Sequence, residues 1–147
     1  MSKELLVSKV LIENSEGKFL VLQKSEDYDL KGGKWELPGG KIGDNLKEDR
    51  FDAGRREIQD ETNLKLKELV DVVRTELEEF KEDEPVVNCW ILHTDNFKGE
   101  ITLSEEHKDY RWVEPCEFRN MDWHRDAGYS LPSMVYLEEY LNRDKSR

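Results

Sequence analysis

The chain has 147 residues and a mass of 17.4 kDa, with 39% charged residues, 36% hydrophobic residues and a formal net charge of −11. Apolar clusters recur at strand-like intervals, so this composition excludes a disordered chain and describes a single domain, 1–147, with a polar surface around a modest core. The acidic balance excludes a long nucleic-acid track, which needs clustered Lys and Arg against phosphates.

An acidic excess by itself ordinarily serves solubility. A small polyanionic molecule is compatible with it only where a divalent metal stands between two negative parties. Cys89 and Cys116 are far apart, without a CxxC pair, and read as two free thiols. The opening MSKELLVSKVLIEN has no long apolar core and no cleavage site, and no segment has the length of a membrane span. A soluble, cytoplasmic protein is therefore expected, with no membrane partner; monomer and homodimer both stay open.

In chain order, residues 5–13 and 18–24 read as two strands of a hairpin joined at Asn14-Ser15-Glu16-Gly17. A polar loop over 25–34 contains Gly32-Gly33, and 35–37 form a short extended piece before Pro38. A helix is predicted over 50–62, with Asp49 as N-cap and Asp52 completing an acidic form of the capping box. Asn45 with Glu48 offers an earlier start. Strands follow at 64–77, 86–93, 99–103 and 110–113, then a short helix within 115–122. An amphipathic helix over 131–142 closes the chain, with Leu131, Met134, Val135, Leu137, Tyr140 and Leu141 as its apolar face. Strands flanked by two helices predict an α/β fold, an α/β/α sandwich around a mixed sheet.

The most informative stretch is 37–64, LPGGKIGDNLKEDRFDAGRREIQDETNL. A helix advances about 100° per residue, so Glu57, Asp60 and Glu61 share one face. Three carboxylates on one turn repel each other unless a cation sits among them, and Mg²⁺ or Mn²⁺ takes oxygen ligands. Alone, such a string is ordinarily a solvated acidic face. The preceding LPGG, Glu48 and Arg56 set this one apart.

Together these residues resemble the signature of the Nudix hydrolases, G-x5-E-x7-R-E-U-x-E-E-x-G-U, where U is a bulky apolar residue. The resemblance implies a Nudix α/β/α sandwich and metal-dependent hydrolysis of a nucleotide pyrophosphate bond. It places Glu57, Asp60 and Glu61 at the metal-binding carboxylate positions and the Gly39 carbonyl as a further ligand. Glu48 would support the metal cluster through water or the helix start, and Arg56 would hold a box carboxylate. Three departures stand out: seven residues instead of five between Gly40 and Glu48, Asp60 for a glutamate, and Asn63 for a glycine. None removes a charge, and asparagine is the next-best residue for a left-handed helix cap.

The implied reaction is water attack on a phosphorus of a diphosphate linkage, with metal offsetting oxygen charge and a carboxylate taking the proton. The base is either Glu57 or a later glutamate from LSEEHKDYRW, residues 103–112. Glu106 is preferred over Glu105 because it precedes His107, as in the E-H-x-x-Y-x-W stretch of similar Nudix proteins, diadenosine polyphosphate hydrolases among them. Lys24, Lys34 and Lys41 are basic residues that can reach phosphates. Lys41, directly after Gly-Gly, matches a frequent family lysine.

Tyr28, Phe80 and Trp90 offer faces for a base, although each suits core packing better. His93, His107 and His124 show no metal spacing and read as structural or surface residues. No P-loop, nucleophile elbow or dinucleotide fingerprint is present. The expected substrate is a nucleoside triphosphate in the manner of MutT, oxidised forms included, cleaved to NMP and pyrophosphate. The alternatives are a dinucleoside polyphosphate hydrolase and a non-catalytic nucleotide-sensing module.

Overall fold

The computed structural model describes residues 4–25, 33–43, 48–77, 86–123, 137–139 and 141. The expectations for Tyr28, Gly32, Asn45, Phe80 and His124, and most of the closing helix predicted over 131–142, fall outside them.

Strand β1 (Glu4–Ile12) lies at the centre, parallel to β7 (Val86–Thr94). On its other side β1 pairs antiparallel with β4 (Gly39–Lys41), while β6 (Val70–Leu77) pairs antiparallel with β7. The order is β4-β1-β7-β6, a mixed sheet. A second sheet, β3-β2-β9, comprises β3 (Trp35–Glu36), β2 (Phe19–Lys24) and β9 (His107–Val113), all antiparallel. A short pair joins β5 (Lys65–Leu66) to β8 (Phe97–Lys98).

Alternation along β1 feeds two cores, as period-two side chains must. Val7 and Leu11 face Cys89, Phe118, Leu137 and Leu141; Val10 and Ile12 face Leu20, Leu92 and Ile58. Ile58 belongs to helix α1 (Arg50–Thr62), whereas Leu137 and Leu141 are helical residues near the chain end. Helical residues therefore cover both faces, and the predicted α/β/α sandwich is the observed layering.

Helix α1 carries the caps its sequence predicts. Asp52 donates its N–H to the Asp49 side chain at 2.8 Å, and Asn63 closes the helix in the left-handed region at φ 66°. The reciprocal half of the capping box is not made; the Asp52 carboxylate pairs with Arg55 at 3.5 Å instead.

Four elements differ from expectation. The 5–13 and 18–24 strands meet in a turn held by Asn14, whose side chain accepts the N–H groups of Glu16 and Lys18 at 3.0 Å each. Beyond a single bridge at Glu13 and Phe19 they part into different sheets instead of forming a regular ladder. The 64–77 strand is divided: Arg55 donates to the Lys67 carbonyl at 2.8 Å and Lys67 donates to the Asn96 carbonyl, which separates β5 from β6.

No strand forms over 99–103. Gly99, at φ 108°, turns the chain out of β8, and Thr102 and Ser104 donate to the Thr62 and Glu61 carbonyls at 2.9 and 3.0 Å. Those are orphan acceptors at the end of α1, so the segment caps a helix instead of joining a sheet. Finally, β9 begins at His107 instead of 110, while the short helix expected within 115–122 is present as a 3₁₀ helix, Pro115–Asn120.

Candidate metal and catalytic site

Two glycines bring β4 between β1 and α1. Gly39 has φ 135°, and a Cβ there would lie 2.1 Å from the Ser8 carbonyl oxygen. At Gly40 a Cβ would lie 2.6 Å from the Glu57 carboxyl carbon. At Gly39, where the obstacle is backbone and φ is positive, only glycine admits this approach; at Gly40 a side chain would displace the Glu57 carboxylate. The strand thus presents its backbone directly to the acidic face of α1.

Glu61 reaches from the last turn of α1 into the interior, where it is 3% exposed and its Oε1 accepts the Gly39 N–H at 2.9 Å. Burial pushes its carboxyl well above the ordinary range against the pull of Lys9, and the charges of Glu36 and Glu106 push the same way. Glu57, one turn earlier and half-buried, is also raised, first by burial and then by Glu106, while Arg56 opposes. The Glu106 charge therefore acts on both box carboxylates. Glu57 and Glu61 themselves abut β4, at Gly40 and Gly39.

Arg56 ties this side together. Its Nη1 donates to Glu57 at 3.1 Å, its Nε and Nη2 to Glu48 at 3.1 and 2.6 Å, and its Nη2 also to the Lys41 carbonyl at 3.0 Å. Glu48 additionally accepts the Gly43 N–H at 2.8 Å. These bonds, the Arg56 one foremost, hold the Glu48 carboxyl below its usual range.

Glu106 stands just before β9, with Lys24 Nζ 3.2 Å from its Oε1. Lys24 also lies 3.6 Å from Glu36, so it bridges two carboxylates. Glu105 is exposed and contributes only its carbonyl, which accepts the Ser25 hydroxyl at 2.8 Å.

The remaining expected residues are not gathered in. Asp60 is exposed and makes no hydrogen bond or ion pair among the described residues; the Lys41 side chain is likewise exposed and unpaired there. Lys34 pairs with Asp122 at 2.8 Å. Trp90 packs on the α1-side core under the Arg74 guanidinium, and His93 bonds Glu13 at 2.9 Å.

Three residues of the site were not anticipated as such. Lys9 is buried, with Nζ 3.1 Å from Glu36 Oε1 and 3.3 Å from the Gly39 carbonyl oxygen. His107 is buried with both ring nitrogens outside hydrogen-bond geometry, at 3.4 Å from Glu36 and 3.9 Å from Glu61. Burial removes the surface half of its expected reading as a structural or surface histidine, and Glu36, Glu61 and His107 bring ligand atoms within 4.8 Å of one another. Burial opposes the charge of Glu36, yet Lys9, His107 and Lys24 together hold its carboxyl below the usual range. Lys9 is correspondingly raised: burial works against it, and Glu36 and Glu61 outweigh burial. The available sequence signal was Lys9 itself, a cation on the Val7–Leu11 face of an apolar strand.

A hard divalent cation fits this donor set. Burial and neighbouring carboxylate charge leave Glu57 and Glu61 raised, while Lys9 sits on Glu36 and Lys24 on Glu106. Oxygen-rich, negative and incompletely compensated sites are those Mg²⁺ and Mn²⁺ occupy.

The NUDIX domain family model matches residues 5–133, and the chain belongs to that family. It is 28% identical over 117 residues to the rat bis(5'-nucleosyl)-tetraphosphatase (asymmetrical), covering 76% of each chain. It is 29% identical over 122 residues to the nucleoside triphosphatase NudI of Escherichia fergusonii, covering 76% of this chain and 83% of that one. The crystal structure of a MutT protein from Methanosarcina mazei Go1 superposes with a TM-score of 0.75 at 24% identity, over 99% and 98% of the two chains, which establishes the shared fold. No helix among the described residues is long and apolar enough to cross a membrane.

Proposed function

We propose that this chain is a divalent-metal-dependent pyrophosphohydrolase acting on a nucleoside triphosphate, oxidised forms included, with NMP and pyrophosphate as products. The observation that carries the reading is the seating of Glu57 and Glu61 against the glycine strand, at Gly40 and Gly39, with the Glu106–Lys24 pair as the neighbouring charged group.

Glu57, Glu61 and the Gly39 carbonyl would hold the metal, Mg²⁺ or Mn²⁺. Glu48 takes part indirectly, by fixing Arg56 and through it Glu57. Asp60, exposed on the same helix, would be a further carboxylate available to it from solvent. When bound, the metal offsets charge on phosphate oxygens and acidifies the attacking water.

The chain's own residues do the rest. Arg56 keeps Glu57 aimed at the site by charged hydrogen bonds. Lys24 Nζ lies 3.2 Å from Glu106 Oε1, and a phosphate oxygen entering the site competes for it. Once Lys24 turns to the phosphate, Glu106 is freed as an acceptor for the proton of the attacking water. Lys41, exposed beside Gly40, reaches phosphates outside the metal's grasp. Glu57 is the alternative base.

A second reading, a dinucleoside polyphosphate hydrolase, is supported by the EHKDYRW stretch at 106–112 and by the similarity to the rat tetraphosphatase. One screen separates the two. Canonical and oxidised nucleoside triphosphates and dinucleoside polyphosphates are incubated with the protein and Mg²⁺, and products are identified by chromatography. NMP with pyrophosphate supports the first reading, and two mononucleotides from a dinucleotide support the second. Absence of hydrolysis across the set, with nucleotide still bound, would leave the sensing module in their place.

A further inference from the structure

We propose that Lys9 is a positioning residue that weakens and tunes divalent-metal binding, a tethered ammonium competing with the metal for the charge of the Gly39 carbonyl, Glu36 and Glu61. The inference rests on the metal reading above and concerns a residue outside the Nudix signature stretch.

Lys9 stands opposite Gly39 in the β1–β4 register. Its Nζ lies 3.1 Å from Glu36 Oε1 and 3.3 Å from the Gly39 carbonyl oxygen, and its side chain is only 5% exposed. The same Gly39 residue donates its N–H to Glu61 at 2.9 Å. One glycine therefore links the ammonium to a proposed metal-binding carboxylate. The positive charge of Lys9 is also felt at both Glu57 and Glu61.

A buried lysine needs a charged partner, and Glu36 supplies one. An ammonium carries three N–H donors, and Lys9 gives one to Glu36 and another to the Gly39 carbonyl. The second bond directs the charge at the oxygen that a metal would share. A fixed cation this close repels a divalent ion and neutralises part of the negative charge that attracts it. The site then binds metal less tightly than its carboxylates alone would allow.

The test is a titration of the EDTA-treated full chain with Mn²⁺, read by electron paramagnetic resonance of the free ion. Lys9→Met removes charge and hydrogen bonds; Lys9→Gln removes the charge but keeps a donor. Both variants should bind Mn²⁺ more tightly, by about tenfold or more. A merely structural lysine would give unchanged or weaker binding in the folded variants, and that result overturns the proposal.

Should neither variant fold, the parent protein still decides. With ¹³C-labelled lysine, the Lys9 Cε resonance, assigned through the backbone, should move on Mg²⁺ addition with the midpoint of metal binding. An unmoved resonance overturns the role of Lys9. A parent that takes up no Mn²⁺ overturns the metal reading and this inference with it, whereas parent binding matched by the variants overturns the Lys9 role alone.

Discussion

Glu61 is the box carboxylate whose surroundings differ most from water. It accepts the Gly39 N–H, is buried, and faces the negative charges of Glu36 and Glu106. Glu61→Gln keeps the shape and an acceptor for Gly39 while removing a charge that burial penalises. Its melting temperature in EDTA should therefore equal or exceed that of the parent, while Mn²⁺ affinity and kcat both fall. Parent-like turnover in this variant would remove Glu61 from the metal site. The late glutamates give a sharper contrast, because Glu106 contacts Lys24 and acts on Glu57 and Glu61, whereas the Glu105 carboxylate is exposed. Glu106→Gln should lower kcat by about 10²–10⁴-fold with little change in substrate binding, the usual cost of losing a general base. Glu105→Gln should have a small effect. Equal turnover in both variants and the parent would leave Glu57 as the base.

At the scale of elements, the end of α1 allows a stability test separate from chemistry. Asn63 holds φ 66° and donates its N–H to the Gln59 carbonyl. Glycine tolerates that conformation without a Cβ, so Asn63→Gly should be neutral or stabilising by up to about 1 kcal/mol. Asn63→Val should be clearly destabilising, because a β-branched residue resists positive φ. Thermal melts of the two variants check this, and coincident curves would contradict the left-handed cap. This helix was legible in the sequence because its determinants are local: Asp49 at one end, Asn63 at the other, and the acidic face between. The 99–103 segment was not legible, because its fate depends on orphan carbonyls of Glu61 and Thr62, which are remote in sequence. Likewise, the split of 64–77 arises from Arg55 and Asn96 reaching Lys67. In the site, the signature stretch announced Glu57, Glu61 and Arg56, but Lys9, Glu36 and His107 come from three separate strands. Only the fold brings them together.

For the whole molecule, opposed carboxylate environments make stability depend on pH and metal together. Glu36 is held below the usual range, so its contribution is present above the unfolded carboxylate pKa of about 4.3 and is lost as pH falls through the folded value. Glu57 and Glu61 are raised, so the sign reverses: folding favours their protonated forms, and stability falls as pH rises from about 4.3 through their folded values. With EDTA present, the protein should therefore be most stable in mild acid and weaken toward neutrality. Mg²⁺ binds the ionised carboxylates and stabilises the folded chain by mass action, so it offsets the loss where the loss is greatest. A net charge of −11 adds general self-repulsion, which any salt screens, so the comparison needs NaCl at matched ionic strength. Differential scanning fluorimetry from about pH 5 to pH 8 should show a Mg²⁺-induced rise in melting temperature that grows with pH. The rise should be reduced in Glu61→Gln, which has lost one titrating ligand. A rise independent of pH would mean that Glu57 and Glu61 are ionised throughout this range, and the burial of Glu61 would then be fully compensated by its cationic neighbours.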